Sequence, residues 1–375
     1  MDFLTNFKRT YLPLNKIEVS RSALLQNYKY ISRINREVSI APVLKSNAYG
    51  HGLQLVGKVL DTVGASFFCV DSLYEAYELY KAKIKTPILI MGYTNPHNLK
   101  LKKLPFSFSV FDRETAYILN NYQSPAKVHI FVDTGMRREG IAINDLPEFL
   151  SYLKTLKNIK IEGLMSHFAA SDQHNNNLTK LQVKNFQLAQ KIFEDADIHP
   201  KWIHMGNSAA NLLPKIYKGK IGTMLRAGIA SYGIGGEIDD KNLHPAMRVV
   251  TTLSQIKQLK KGEKTGYDFT YTAKKDMTIG VLPYGYYDGL DRRLSNKGSV
   301  LISGIKCPIL GRVSMNITTI DISKVKNPQI GQEVIVYSNI PSDPNSFANV
   351  SLLTGTIQRD LFVHLTESTK RVIVA

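Results

Sequence analysis

The chain has 375 residues, 43% of them hydrophobic and 21% charged. This is an ordinary globular balance, enough for one large domain plus a smaller one. No apolar run approaches the ~20 residues of a bilayer-crossing helix, and the segment MDFLTNFKRTYLPLNK lacks the apolar core and cleavage site of a secretory leader; no membrane partner and a cytoplasmic setting are therefore expected. Lys and Arg outnumber Asp and Glu by 48 to 31, for a net charge of +17. The basic residues are nevertheless spread along the chain. The densest patches, Lys100–Lys103 and Lys257–Lys264, read as solvated faces, and no helix-turn-helix, zinc or aromatic-basic signature accompanies them, so no nucleic-acid partner is expected. Two cysteines, Cys69 and Cys307, make neither a disulfide framework nor a metal site, and no metal is expected.

In chain order, residues 1–12 read as an N-terminal extension. Ile17–Val19 reads as a short strand, and Ser20 as the cap of a helix over Arg21–Arg36. Strand-like and helix-like segments then alternate. The strand candidates are SIAPVLK (39–45), SFFCV (66–70), PILIMGY (87–93), FSFSVF (106–111), KVHIFVDT (127–134), KIEGLMSHF (160–168), WIHMG (202–206) and TMLRAGIA (223–230). Each but the last precedes a helix; Asp112 is a cap candidate for the helix after FSFSVF. Eight strands in this rhythm over ~250 residues predict a parallel (β/α)8 barrel, assigned to 13–245. Past Pro245 short alternating strands dominate, VVTTLSQIKQL, SVLISG and EVIVYS among them, separated by Gly, Pro and Asn turns. They predict a mostly β domain over 246–375. The fold class expected is thus α/β, an N-terminal barrel with a C-terminal mostly β domain.

Barrel active sites gather at the C-terminal ends of the strands. Polar residues cluster at those ends: Lys45, Arg138, His167, His204, Asn207, Ser208 and Arg226. Alone, a strand-end lysine snorkels to solvent and a histidine is a satisfied structural residue; so many together argue for one pocket. A partly desolvated Lys45 amine would attack a carbonyl to form a Schiff base. Ser208 opens a helix, and Gly228 allows close approach of backbone N–H groups, as a phosphate cradle requires. No Walker or Rossmann glycine pattern is present, so the anion is not marked as a nucleotide.

The stretch SIAPVLKSNAYGHG (39–52) resembles the pyridoxal-phosphate lysine motif of the alanine racemases. DTGMRREG, HMGNSAA, LRAGIA, a G-Y-x-x-T-Y segment at Gly266–Tyr271 and PYGYYDGL resemble that family in order along nearly the whole chain. The resemblance implies pyridoxal 5'-phosphate as cofactor, bound through Lys45, Tyr49, His167, Asn207, Ser208, Gly228 and Ile229, with Arg226 facing the pyridine nitrogen and His204 orienting Arg226. It implies two bases, Lys45 and Tyr267, on opposite faces of Cα, with Tyr267 supplied by the second subunit of a homodimer. It implies Arg138 and the Met315 backbone as the clamp on the carboxylate of a small amino-acid substrate, and Tyr286 at the entrance. The activity implied is interconversion of L- and D-alanine, feeding peptidoglycan in a bacterium.

Three positions depart from the family pattern. Phe131 stands where a lysine, frequently carbamylated, is common, which leaves Glu139 or an anion to orient Arg138. Asn316 replaces an aspartate. Arg359 and Asp360 replace a tyrosine-glutamate pair, and Arg359 is assigned to the cofactor phosphate. These departures keep a broader-specificity racemase open as an alternative, beside a basic amino-acid decarboxylase and a non-catalytic pyridoxal-phosphate binder.

Overall fold

The computed structural model describes residues 12–375; of the extension expected over 1–12, all but Leu12 lies outside them. The described chain divides into two compact units, residues 22–48 with 52–244, and residues 12–21 with 49–51 and 245–375.

The first unit is the barrel. Its eight parallel strands are Ser39–Pro42, Phe68–Val70, Ile88–Ile90, Ser107–Val110, Ala126–Asp133, Ile159–Met165, Trp202–His204 and Met224–Ala227. The six from Phe68 to His204 form one sheet. The last strand pairs in parallel with the first, Arg226 opposite Ala41. A parallel bridge between Val43 and Cys69 and a 2.7 Å hydrogen bond from Thr223 N–H to Ile203 C=O complete the ring. These are the eight strands read from the sequence. Phe68–Val70 and Ile88–Ile90 are buried throughout, which is why they read as unbroken apolar runs rather than as alternation.

The helices between them carry apolar residues at helical spacing. Leu53–Leu60 buries Leu53, Val56, Val59 and Leu60. Asp112 caps the helix Arg113–Tyr122 by accepting from Thr115 N–H. Ser72 and Glu75 form a reciprocal capping box at the start of Leu73–Lys81. The cap of the short helix Ser208–Leu212 is Asn207, which accepts from Ala210 N–H, so Ser208 is its first residue and its hydroxyl is not committed to capping.

The second unit is built on a nine-stranded sheet in the order Gln255–Leu259, Met277–Leu282, Thr318–Asp321, Ile305–Leu310, Ser299–Ile302, Glu333–Tyr337, Met247–Thr252, Lys16–Ser20 and Lys370–Val374. The strand Lys16–Ser20, counted with the barrel in the sequence reading, belongs here. It pairs antiparallel with Met247–Thr252 and parallel with Lys370–Val374, and it buries Ile17 and Val19 completely. The run VVTTLSQIKQL is two strands rather than one. At Leu253 and Ser254 the chain changes partners, their N–H groups going to Gln332 C=O and Val281 C=O. Two helices, Phe347–Thr354 and Gln358–Val363, precede the last strand.

Gly50 is tied into this unit. Its C=O accepts from Arg371 Nε at 3.0 Å, its φ is +80°, and a Cβ there would stand 2.2 Å from Phe362 C=O. Gly50→Ala should therefore cost at least about 2 kcal/mol, combining a positive-φ penalty with a backbone clash. A urea melt with an unchanged midpoint would contradict this.

Candidate active site

Beyond the first barrel strand the chain makes a left-handed turn. Ser46, Asn47 and Ala48 have φ of 55°, 54° and 53°, and Tyr49 has 51°. Left-handed residues with a Cβ cost roughly 1–2 kcal/mol each, so a run of them persists only where its surroundings hold it. Here the buried Glu75 carboxylate accepts from Ser46 N–H with one oxygen and from Asp71 N–H, at 2.8 Å, with the other. Asn47 Oδ1 accepts from Leu53 N–H at 2.7 Å, capping the next helix where Gly52 has no side chain to do so. The turn presents Lys45 with 35% of its side chain exposed and Nζ 3.2 Å from Asp71 Oδ1. An exposed pair of this kind is worth at most ~1 kcal/mol, so the amine is readily released to a ligand.

Arg226, on the strand paired with Ser39–Pro42, is buried to 2% exposure. Its Nη1 donates to His204 Nδ1 and, at 3.0 Å, to His204 C=O. Its Nη2 donates to Ser166 C=O at 2.6 Å, to His167 Nδ1 at 2.9 Å and, at a longer 3.4 Å, to Met205 C=O. The Nη hydrogens are thereby spent, and Nε–H has no hydrogen-bond partner among the described residues. Burial lowers the guanidinium to about 10, which leaves it charged at neutral pH. Arginine can only donate, so Nδ1 of His167 must be bare and its proton must sit on Nε2. Burial first, then the charges of Arg226, Arg138 and Lys45, hold His167 down to about 3. Burial and Arg226 likewise hold His204 well below its ordinary value.

Around His167 a hollow is lined by Phe131, Asp133, Met136, Arg138, Glu139 and Ser166. Phe131 is buried and meets Phe111 edge-on, ring centres 6.2 Å apart. Arg138, half exposed, has Glu139 Oε2 3.4 Å from its Nε. Ser208 Oγ accepts from Ala230 N–H at 3.3 Å. This sets the start of its helix beside Gly228 and the helical turn Ile229–Tyr232, two sets of N-terminal N–H groups with no acceptor inside their own helices. The barrel thus brings together Lys45, His167, His204 and Arg226, with Arg138 facing His167, and sets Ser208 against the Gly228 turn.

The remaining candidates lie in the second unit. Tyr267 is 70% exposed on a turn between the paired strands Lys264–Thr265 and Tyr271–Thr272. An Asp268–Arg312 ion pair of 2.7 Å ties that turn down. Met315 is exposed, and the turn carrying Tyr286 lies against its loop, Tyr286 N–H donating to Ser314 C=O at 2.9 Å. Gly285 permits this approach, because a Cβ there would stand 2.2 Å from Ser314 C=O. Arg359 is exposed on the helix Gln358–Val363. Tyr49 C=O accepts from His51 Nδ1 at 2.9 Å. Among the described residues no cluster of His, Cys, Asp or Glu side chains could hold a metal ion, and no helix is long and apolar enough to cross a membrane.

Sequence reasoning missed Glu75, Asp71, His129 and Glu162. The S-x-x-E spacing of Ser72 and Glu75 marks a capping box, but nothing local shows that the same carboxylate reaches Ser46.

The model of the alanine racemase N-terminal domain matches residues 19–235, and that of the C-terminal domain matches residues 246–373. The alanine racemase of Carboxydothermus hydrogenoformans is 32% identical over 367 residues, covering 95% of this chain and 98% of that protein. The alanine racemase of Methanococcus maripaludis is 33% identical over 367 residues, covering 95% and 97%. The structure of alanine racemase from Bacillus anthracis with bound L-Ala-P superposes with a TM-score of 0.88 at 29% identity, covering 97% of this chain and 96% of that one. That of Clostridium difficile 630 superposes at 0.87 and 28% identity, covering 97% of each.

Two outcomes follow from the site. Glu75→Ala should cost about 2 kcal/mol in a denaturant melt, since it removes the charged acceptor of two part-buried hydrogen bonds that hold the left-handed turn. His167 is held at about 3, while an unfolded histidine titrates near ~6.5. Between these values the unfolded chain binds the extra proton, so stability should be full above ~6.5 and fall as the pH is lowered toward 3. His129 and His204 act in the same direction. A melting temperature that stays flat from pH 7 to about 4 would contradict this.

Proposed function

The chain belongs to the alanine racemase family of pyridoxal-phosphate-dependent isomerases, and we propose that it interconverts L- and D-alanine with Lys45 as base on one face of Cα and Tyr267 on the other. The observation that carries the residue assignment is the Arg226 Nε–H, the one hydrogen of a buried guanidinium without an acceptor among the described residues. It is the donor left to meet a pyridine nitrogen, and it fits that group.

Pyridoxal phosphate, when bound, supplies the electron sink that acidifies Cα–H. Arg226 donates a hydrogen bond to the ring without readily surrendering its proton, keeping the ring a modest sink and favouring proton return over loss of carbon dioxide or transamination. Ser208 and the N–H groups at Gly228 and Ile229 hold the phosphate, with Asn207 setting the helix start, Tyr49 adding a hydroxyl and Arg359 adding charge. Arg138, with Glu139 beside it, and the Met315 backbone orient the substrate carboxylate, and Tyr286 narrows the entrance.

A phenol titrates near ~10 and is a poor base at neutral pH unless its anion is stabilised. His167, its proton forced onto Nε2 by Arg226, is the donor for that anion. Tyr267 is contributed by a second copy of the chain. What supports this is its 70% exposure, with Phe269 on the same turn and Met315, Tyr286 and Tyr287 on two adjoining loops also exposed, large side chains of the kind a homodimer would cover. D-alanine made in the cytoplasm would serve peptidoglycan synthesis in a bacterium.

Purified protein given L-alanine in heavy water should return D-alanine deuterated at Cα. Tyr267→Phe should lose roughly 10²–10⁴ of the rate that depends on that base while keeping the bound cofactor's absorbance. Equal loss of cofactor binding would remove Tyr267 from its assigned role. Lys45→Ala should abolish both absorbance and turnover.

A further inference from the structure

Arginine donates at every nitrogen, and this dictates the protonation of the two imidazoles beyond Arg226. Because Nη1 donates to His204 Nδ1, that nitrogen is bare and the His204 proton is on Nε2. His204 Nε2 lies 2.8 Å from His129 Nδ1, so His204 is the donor and the His129 proton is on Nε2 as well. The His129 Nε2–H stands 3.4 Å from Glu162 Oε1 without making a hydrogen bond, and it has no hydrogen-bond partner among the described residues. Both histidines are completely buried. Room for the His129 ring is kept by Gly163, where a Cβ would stand 2.1 Å from Nδ1.

Glu162 takes a short hydrogen bond from Ser107 Oγ. Burial pushes its carboxyl up, but His129, Ser107 and the charge of Lys127 hold it below the usual range. Burial keeps His129 neutral against the pull of Glu162. The series is therefore a cation, two neutral rings with both N–H bonds pointing the same way, and an anion.

We infer that Glu162 is a positioning residue: from the far end of the series its carboxylate favours the same proton pattern on His129 and His204 that Arg226 requires, and so helps hold Arg226 with Nε–H toward the cofactor ring. The last step rests on the reading of Arg226 given above. The chain has a single self-consistent proton pattern. Without the carboxylate, the buried His129 Nε2–H loses the one negative charge beside it, 3.4 Å away, and its proton is no longer favoured on Nε2 over Nδ1. Two N–H groups would then face each other between the rings, driving the His204 proton to Nδ1, where it opposes the guanidinium. A change at one end of the series is in this way felt at the other.

The test is nitrogen NMR of ¹⁵N-histidine-labelled holoenzyme, which reads each tautomer directly. The wild type should show bare Nδ1 and protonated Nε2 on His129 and His204. Glu162→Leu should show mixed tautomers, with kcat down about tenfold, the equivalent of about 1.4 kcal/mol, and KM changed little. Glu162→Gln, which keeps an acceptor oxygen, should fall between. An unmixed pattern in Glu162→Leu, or mixing without loss of kcat, overturns the proposal. If that variant does not fold, a wild-type His204 protonated on Nδ1 overturns it alone. The ring-nitrogen resonance of ¹⁵N-labelled pyridoxal phosphate in Arg226→Gln judges the Arg226 reading separately: an unmoved resonance removes that reading, while the histidine pattern still decides the tautomer claim.

Discussion

A buried guanidinium must find acceptors for its hydrogens or pay heavily for leaving water. Among the described residues Arg226 meets this demand without a carboxylate in contact. Three backbone carbonyls and two imidazoles take its Nη hydrogens, and an anion stands two rings away at Glu162. Much else in the barrel follows from this arrangement. Both histidines must be neutral to accept, which burial enforces. The strand Ile159–Met165 must carry a glycine at 163 to admit the His129 ring. His167 is left with a single outward N–H, and the guanidinium with a single hydrogen to offer a ligand.

The neighbouring strand meets the opposite requirement. Arg226 is opposite Ala41 in the ladder, and a few residues later the chain delivers Lys45, exposed and only loosely paired. A rigid, fully committed cation thus lies beside an amine that can change partners. The left-handed turn makes this possible by ending the strand abruptly, and Glu75 holds the turn. A nucleophilic amine has to be released and recaptured in each catalytic cycle. A ring-facing donor gains from being immobile, because electrostatic preorganisation avoids reorganisation during reaction.

Two of the departures from the family pattern, Phe131 and Asn316, find local explanations. Phe131 packs against Phe111, and Glu139 takes up a position beside Arg138. Asn316 donates its amide to Asp288 Oδ2 at 3.2 Å. The same Asp288 oxygen accepts from Gly285 N–H at 2.9 Å. An aspartate at 316 would set two carboxylates against each other, so the amide suits this chain's own loop.

The sequence by itself determined the eight barrel strands and the change to short alternating strands past Pro245, because buried parallel strands leave unbroken apolar runs and half-buried antiparallel ones leave alternation. It also marked Lys45, His167, His204, Ser208 and Arg226, which sit at strand ends beside recognisable neighbours. It did not determine that Lys16–Ser20 joins a sheet with Lys370–Val374, since a period-2 pattern names a buried face but not a partner. Nor did it single out Glu75, His129 or Glu162. The roles of these residues lie in hydrogen bonds and charges met across the barrel, His129 and His204 being separated by 75 residues. Only the closed fold brings such donors and acceptors within reach, and only then does arginine's inability to accept a hydrogen decide where every proton of the series resides.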